Sequence, residues 1–210
     1  MYASESPSVI TYINIHISSL CFSLQNNILN HRDLFCISFF NQGSSYFLIN
    51  VYSDSSQLAL KYLKDTEVNI NNILIMTGDF NIRDSFWNPN FLYHSTHKDI
   101  LFDIADSFQL EISKLTEFFP TRYSNNNQNS NSVLDLVFLC LFLTEFDNHH
   151  IYPDWRLTSD HALSLSTSQY SMNVCQQKND LSSRTVMRRT ILLKSLQTLS
   201  SKWIHPLSKA

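Results

Sequence analysis

The 210 residues are 43% hydrophobic and 13% aromatic, enough to bury a sizeable core in one domain plus an extension, and such a composition excludes a disordered chain. The formal net charge of −3 is unevenly spread: residues 1–177 hold 8 Lys and Arg against 17 Asp and Glu, a balance of −9, and residues 178–210 hold +6. An acidic body repels a phosphate backbone, so nucleic-acid chemistry would need a bound metal, the basic tail or a further segment.

In chain order, "VITYINIHI" (9–17) alternates with Ile13, Ile15 and Ile17 on one face and predicts a strand. "DLFCISFF" (33–40) and "SSYFLINVY" (44–52) predict a hairpin bending at Gly43. "SSQLALKYLKDTEV" (55–68) predicts an amphipathic helix, with its serines suited to N-capping. "NNILIMTGDF" (71–80) is a short, continuously apolar strand of the kind buried on both faces. "STHKDILFDIADSF" (95–108) predicts a capped helix, and "NSVLDLVFL" (131–139) another buried strand after the polar loop "SNNNQNSNS". "ALSLSTS" (162–168) predicts a last short strand, and from about residue 180 the basic tail has helical spacing. Alternating strands and helices favour an α/β fold.

Cys21, Cys36, Cys140 and Cys175 are scattered, three of them in apolar stretches, which predicts buried free thiols rather than disulfides or a zinc site. The N-terminus lacks a basic region followed by an apolar core, so no secretory signal is expected. "VLDLVFLCLFL" (133–143) is too short for a bilayer and carries Asp135, so no membrane partner is expected. An intracellular protein is expected, with the nucleus as one compartment.

The chemistry-bearing residues fall at strand ends: Asp79 after "LIMTG", Asp135 inside "SVLDLVF", and Asp160 with His161 in "LTSDHALS". Charged groups are rarely buried unless paired or on a metal. Singly, each has an ordinary reading, since "GD" after a strand is a turn and one Asp in an apolar strand is a capped carboxylate. Their order is what carries information.

A strand ending in GDFN, a strand beginning DLVF, and SDH opening a final strand together resemble the endonuclease/exonuclease/phosphatase superfamily. More narrowly, "NVYSDSS", "MTGDFNIRDSFW", "TRYS", "SVLDLVF" and "PDWRLTSDHALS" resemble the apurinic-type endonuclease domain of non-LTR (LINE-type) retrotransposons, over about residues 9–168. The resemblance implies an α/β fold, a partial four-layered αββα sandwich, over residues 1–170, with residues 171–210 as a basic helical extension. It also implies Mg²⁺-dependent phosphodiester hydrolysis on DNA, Mn²⁺ being an alternative ion. Asp79 would activate the attacking water, Asn81 would hold it or the phosphate, and Tyr52 would contact the scissile phosphate. His161 would stabilise charge there, Asp135 would orient its imidazole, and Asp160 would belong to the metal shell. In-line hydrolysis needs such a base, Lewis acid and set of donors.

Gly78 reads as a clearance residue, letting a backbone approach phosphate or metal beside Asp79. The family's early strand ending in Asn, and its "QE" whose Glu is the principal metal ligand, have no match here, which implies an N-terminally truncated domain with reduced turnover. A reverse transcriptase domain is expected in a full-length polyprotein, whereas this chain stops at Ala210. Two alternatives stand beside the nuclease: a non-catalytic retroelement remnant that binds nucleic acid or protein, and a small-ester phosphatase of the same superfamily. His94, His97, His149 and His150 lack a completing ligand set and read as solvated loop residues. Trp87, Trp155 and Trp203 could stack on bases, with core packing or a loop clamp equally open for the first two.

Overall fold

The computed structural model describes residues 11, 22–25, 28–41, 43–66, 70–89, 91–113, 119–124, 131–144, 147–154, 160–171 and 188–195. All of the expected strand at 9–17 but Thr11, and residues 125–130 of the polar loop, lie outside the described residues. Strand β1 (Ser23–Leu24) pairs with β2 (Leu34–Asn41), and β2 forms an antiparallel hairpin with β3 (Ser44–Tyr52), from Leu34↔Val51 to Asn41↔Ser44. Gly43 makes the bend at φ +83, a conformation L side chains rarely adopt.

From β3 the chain crosses through α1 (Leu58–Asp65) to β4 (Ile73–Asp79), which pairs with β3 in parallel. A parallel pair needs such a crossover. Ala59, Leu60 and Leu63 bury one stripe of α1, as its spacing predicts. The serine cap does not form. Gln57 takes the N-cap position in the left-handed region (φ 56) without a side-chain cap, while Ser56 donates to Asp54 instead. Gln57 is buried, accepts from Ser53 Oγ at 2.8 Å and donates to the Phe80 carbonyl at 3.1 Å, tying the β3–α1 turn to the end of β4.

Helix α2 (Thr96–Ser107) is capped by Ser95, whose hydroxyl accepts from the His97 N–H, and leads to β5 (Leu110–Ile112). β6 (Asp135–Cys140) then inserts antiparallel between β4 and β5, completing a mixed sheet in the order β1-β2-β3-β4-β6-β5. All six residues of β6 and six of the seven in β4 are buried, so the continuous apolar runs do mark strands covered on both faces. Met76 and Phe138 are fully buried at the centre, and Phe80 meets Phe138 edge to face at 5.7 Å. Cys36 and Cys140 are buried free thiols, as expected, and burial pushes Cys36 up to about 12.

The short α3 (Leu141–Thr144) leads into a second, antiparallel sheet of β7 (Asp147–Tyr152), β8 (Leu163–Ser171) and β9 (Arg188–Ser195). β9 corrects the helical expectation for the tail: residues 188–195 pair with β8 from Ser164↔Ser195 to Ser171↔Arg188. The run "TILL" fits either periodicity, and the open edge of β8 supplies backbone partners that a lone helix would have to do without. Among the described residues no helix is long and apolar enough to cross a membrane.

Candidate active site

Tyr52 faces Asp79 across β3 and β4, and Asp79 faces Asp135 across β4 and β6. Residues in register share a sheet face, so one level of three adjacent strands presents a phenol and two carboxylates in a row. Asp79 and Asp135 are 4% exposed, whereas Tyr52 is half-buried.

Gly78 makes this row possible, for a reason other than the one its sequence suggests. Its φ is +148, and a Cβ there would lie 1.8 Å from the Val51 carbonyl oxygen of β3. The clearance is therefore for the neighbouring strand. Two residues beyond Asp79, Asn81 sits at φ 52, and its backbone N–H donates to Asp79 Oδ1 at 2.9 Å. That bond fixes the carboxylate.

The SDH segment arrives on a splint, the "TRYS" stretch, whose role nothing in the local sequence announces. Thr121, fully buried, accepts through its hydroxyl from the N–H groups of Leu134 and Asp135, at 2.8 and 3.0 Å. On its other side the Ala162 N–H donates to the Thr121 carbonyl and the Tyr123 N–H to the Asp160 carbonyl, both at 2.7 Å. The splint thereby sets Asp160 and His161 against the start of β6. His161 Nδ1 lies 2.9 Å from Asp135 Oδ2, and its Nε2 lies 3.8 Å from Asp79 Oδ2 and 3.9 Å from Asp160 Oδ1. Arg122 Nε donates to Asp160 Oδ2 at 3.0 Å.

Electrostatics follow from this crowding. Burial, then the Asp135 charge, pushes Asp79 up to about 7, against the pull of His161 and the Asn81 N–H. Burial also pushes Asp135 upward, with His161 and Thr121 opposing it. For His161, burial disfavours the imidazolium, yet the hydrogen bond and charge of Asp135, helped by Asp79 and Asp160, leave its pKa raised. Burial and the Asp79 charge raise Tyr52, so its phenol keeps its proton.

The donors suit a divalent cation. Ligand atoms of Asp79, Asp135 and His161 lie within 4.8 Å of one another, and Asp135 Oδ1 is buried without a hydrogen-bond partner. With Nδ1 committed to Asp135, the atoms left facing the site are chiefly carboxylate oxygens, the choice of a hard ion. Asp160, expected as the metal ligand, stands at the rim with one oxygen on Arg122 and the other toward His161.

The remaining candidates separate. Trp87 is buried and donates from Nε1 to the Ile82 carbonyl at 3.2 Å, so it clamps the loop after Asn81; Trp155 and Trp203 lie outside the described residues. His94 is exposed, as expected. His97 sits in the first turn of α2, and β7 holds His149 and His150, with His149 buried and its Nδ1 3.1 Å from Ser113 Oγ. Those three correct the solvated-loop expectation: the backbone ladder of β7 holds His149 and His150, and His97 falls within the helix that 95–108 predicts. Asp84 was missed. It is fully buried and accepts from the N–H groups of Phe86 at 2.8 Å and Ser95 at 2.7 Å, pinning the loop to the start of α2.

The family model described as Endonuclease-reverse transcriptase matches residues 46–165, more than half of the chain. The chain belongs to that family. Among solved structures, this Endonuclease-reverse transcriptase member is similar to the endonuclease domain of TRAS1, a telomere-specific non-LTR retrotransposon, at 16% identity and a TM-score of 0.54. The match covers 67% of this chain and 65% of that domain, just under two thirds of its length. A 3′ phosphatase from Neisseria bound to product DNA hairpin matches at 16% identity and a TM-score of 0.47, over 71% and 69% of the two chains. A Staphylococcus aureus beta toxin matches at 12% identity and 0.41, over 63% and 55%. No curated protein sequence matches. The mixed sheet with two helices is thus the α/β fold of the endonuclease/exonuclease/phosphatase superfamily.

Proposed function

We propose that the chain is a DNA endonuclease of retrotransposon type, hydrolysing phosphodiesters with Mg²⁺ or Mn²⁺ bound at Asp79, Asp135 and, at the rim, Asp160. The observation that carries this reading is the meeting of Asp79, Asp135 and His161, from three separate segments, within 4.8 Å.

Each residue's part follows from its surroundings. The Asn81 N–H holds Asp79 Oδ1, which leaves Oδ2 to take a proton from water. Asp135 holds the His161 Nδ1–H, so Nε2 is turned to the Asp79 side, where as a charged donor it stabilises a phosphate oxygen. The Tyr52 hydroxyl, kept protonated, donates to the same phosphate. A bound divalent cation supplies Lewis-acid stabilisation of the developing charge. The water oxygen bonds to phosphorus as the bond to the leaving sugar oxygen breaks.

A second reading, binding without turnover, is favoured by one contact, since Arg122 already occupies one oxygen of Asp160. Plasmid nicking with Mg²⁺, comparing the chain with Asp79→Asn, decides between them. Nicking lost in the variant supports the endonuclease. Equal inactivity of both supports the second reading, and phosphate released from small esters with plasmid left intact supports a phosphatase.

A further inference from the structure

The row of Tyr52, Asp79 and Asp135 is acidic, and so is the body of the chain, with 8 basic residues against 17 acidic ones over 1–177. A DNA phosphate entering this site meets repulsion unless a fixed cation stands beside it. Among the described residues, Arg122 is the permanently charged side chain bonded to the site's carboxylates. Its Nε donates to Asp160 Oδ2, and its charge lowers the proton affinity of both Asp79 and Tyr52, placing its field over the row.

Its mounting is firm. The Arg122 N–H donates to the Ser132 carbonyl at 2.8 Å, the Ser132 N–H donates back at 3.0 Å, and a β-bridge joins Arg122 to His161. The side chain is 36% exposed, and among the described residues its Nη groups have no partner. A guanidinium is a planar fork of five donors. With Nε–H spent on Asp160, the Nη pair remains for two oxygens of an incoming phosphate.

We propose that Arg122 is a phosphate-binding residue for duplex DNA, gripping a backbone phosphate beside Asp79 and His161, with Asp160 as the positioning residue that aims its guanidinium. The assignment rests on the endonuclease reading. Asp160 then serves two neighbours, giving Oδ2 to the arginine while Oδ1 faces His161.

The test is fluorescence anisotropy of a labelled DNA duplex in EDTA across a KCl series, with the full chain, Arg122→Ala, Arg122→Lys and Asp160→Asn. Arg122→Ala is expected to weaken binding about 10-fold and to flatten the dependence of log K on log [KCl] by about 0.9. Arg122→Lys keeps the salt slope, since the charge stays, but loses part of the affinity, since an ammonium is no fork. Asp160→Asn keeps the slope as well. Should Arg122→Ala fail to fold, the lysine variant decides, because a purely structural ion pair predicts unchanged affinity for it. An Arg122→Ala slope equal to that of the unsubstituted chain overturns the assignment. Plasmid nicking run alongside separates the failures: nicking with an unchanged Arg122→Ala slope overturns this assignment alone, whereas a chain that neither binds duplex nor nicks overturns the endonuclease reading too.

Discussion

His161 owes its orientation to one bond. With Nδ1 2.9 Å from Asp135 Oδ2, the ring presents Nε2 to Asp79 and carries its proton at higher pH than a free imidazole. Asp135→Asn removes the charge and weakens the hydrogen bond, leaving burial to lower the pKa against the smaller contributions of Asp79 and Asp160. NMR titration of His161 should then place its midpoint below that of the unsubstituted chain, and the nicking rate should fall about 100-fold with KM little changed. A His161 midpoint unmoved in the variant would show that Asp135 does not govern it. Asp79 gives the second residue-scale prediction. Its pKa is near 3.8 unfolded and about 7 folded, so between those values the native state holds a proton that the unfolded chain has lost. Stability from this group is complete below pH 3.8 and is lost as pH rises through about 7. In EDTA, Asp79→Asn should therefore melt on the order of 5 °C above the unsubstituted chain at pH 8, with the difference vanishing near pH 4. A variant that melts lower at pH 8 would refute the burial argument.

At the scale of elements, the site depends on how close β3 and β4 lie. Gly78→Ala sets a Cβ against the Val51 carbonyl and strains φ at +148. Urea unfolding should report a loss of about 3 kcal/mol or more, and the displaced Tyr52–Asp79 pairing should abolish nicking in whatever folds. Asp84→Ala strands the Phe86 and Ser95 N–H groups at the entry to α2 and should cost about 2 kcal/mol. The strands that carry the row were legible because their patterns are local: β4 and β6 read as apolar runs, α2 announced its Ser95 cap, and a carboxylate inside "SVLDLVF" could be there only for a reason. What escaped was settled by distant partners. Thr121 acts on Asp135 across 14 residues and Arg122 on Asp160 across 38, so neither role is written near the residue. β5 has three residues and the polar "DNHHIY" of β7 has no alternation; both exist because a neighbouring edge offered backbone bonds. Gln57 in the left-handed region overrode a serine cap that local propensity favoured.

On the scale of the whole molecule, the folded body concentrates negative charge that its sequence had merely distributed. Asp79, Asp135 and Asp160 come from three segments, and His161 and Arg122 offset them only in part. The fold therefore stores repulsion that a divalent cation would relieve, and binding to the native state alone must appear as stability. At ten times its dissociation constant such an ion adds about 1.4 kcal/mol, or roughly 3–6 °C in Tm for a chain of this size. The rise should be larger at pH 8 than at pH 5, because at the lower pH the cation must first displace the proton that Asp79 holds up to about 7. Asp79→Asn should reduce it by at least half, and KCl at matched ionic strength should not reproduce it, since screening acts on all charges and coordination on these few. Differential scanning fluorimetry with Mg²⁺ across the two pH values measures each of these; a rise equal in Asp79→Asn, or matched by KCl, would mean that the acidic row does not act as one site.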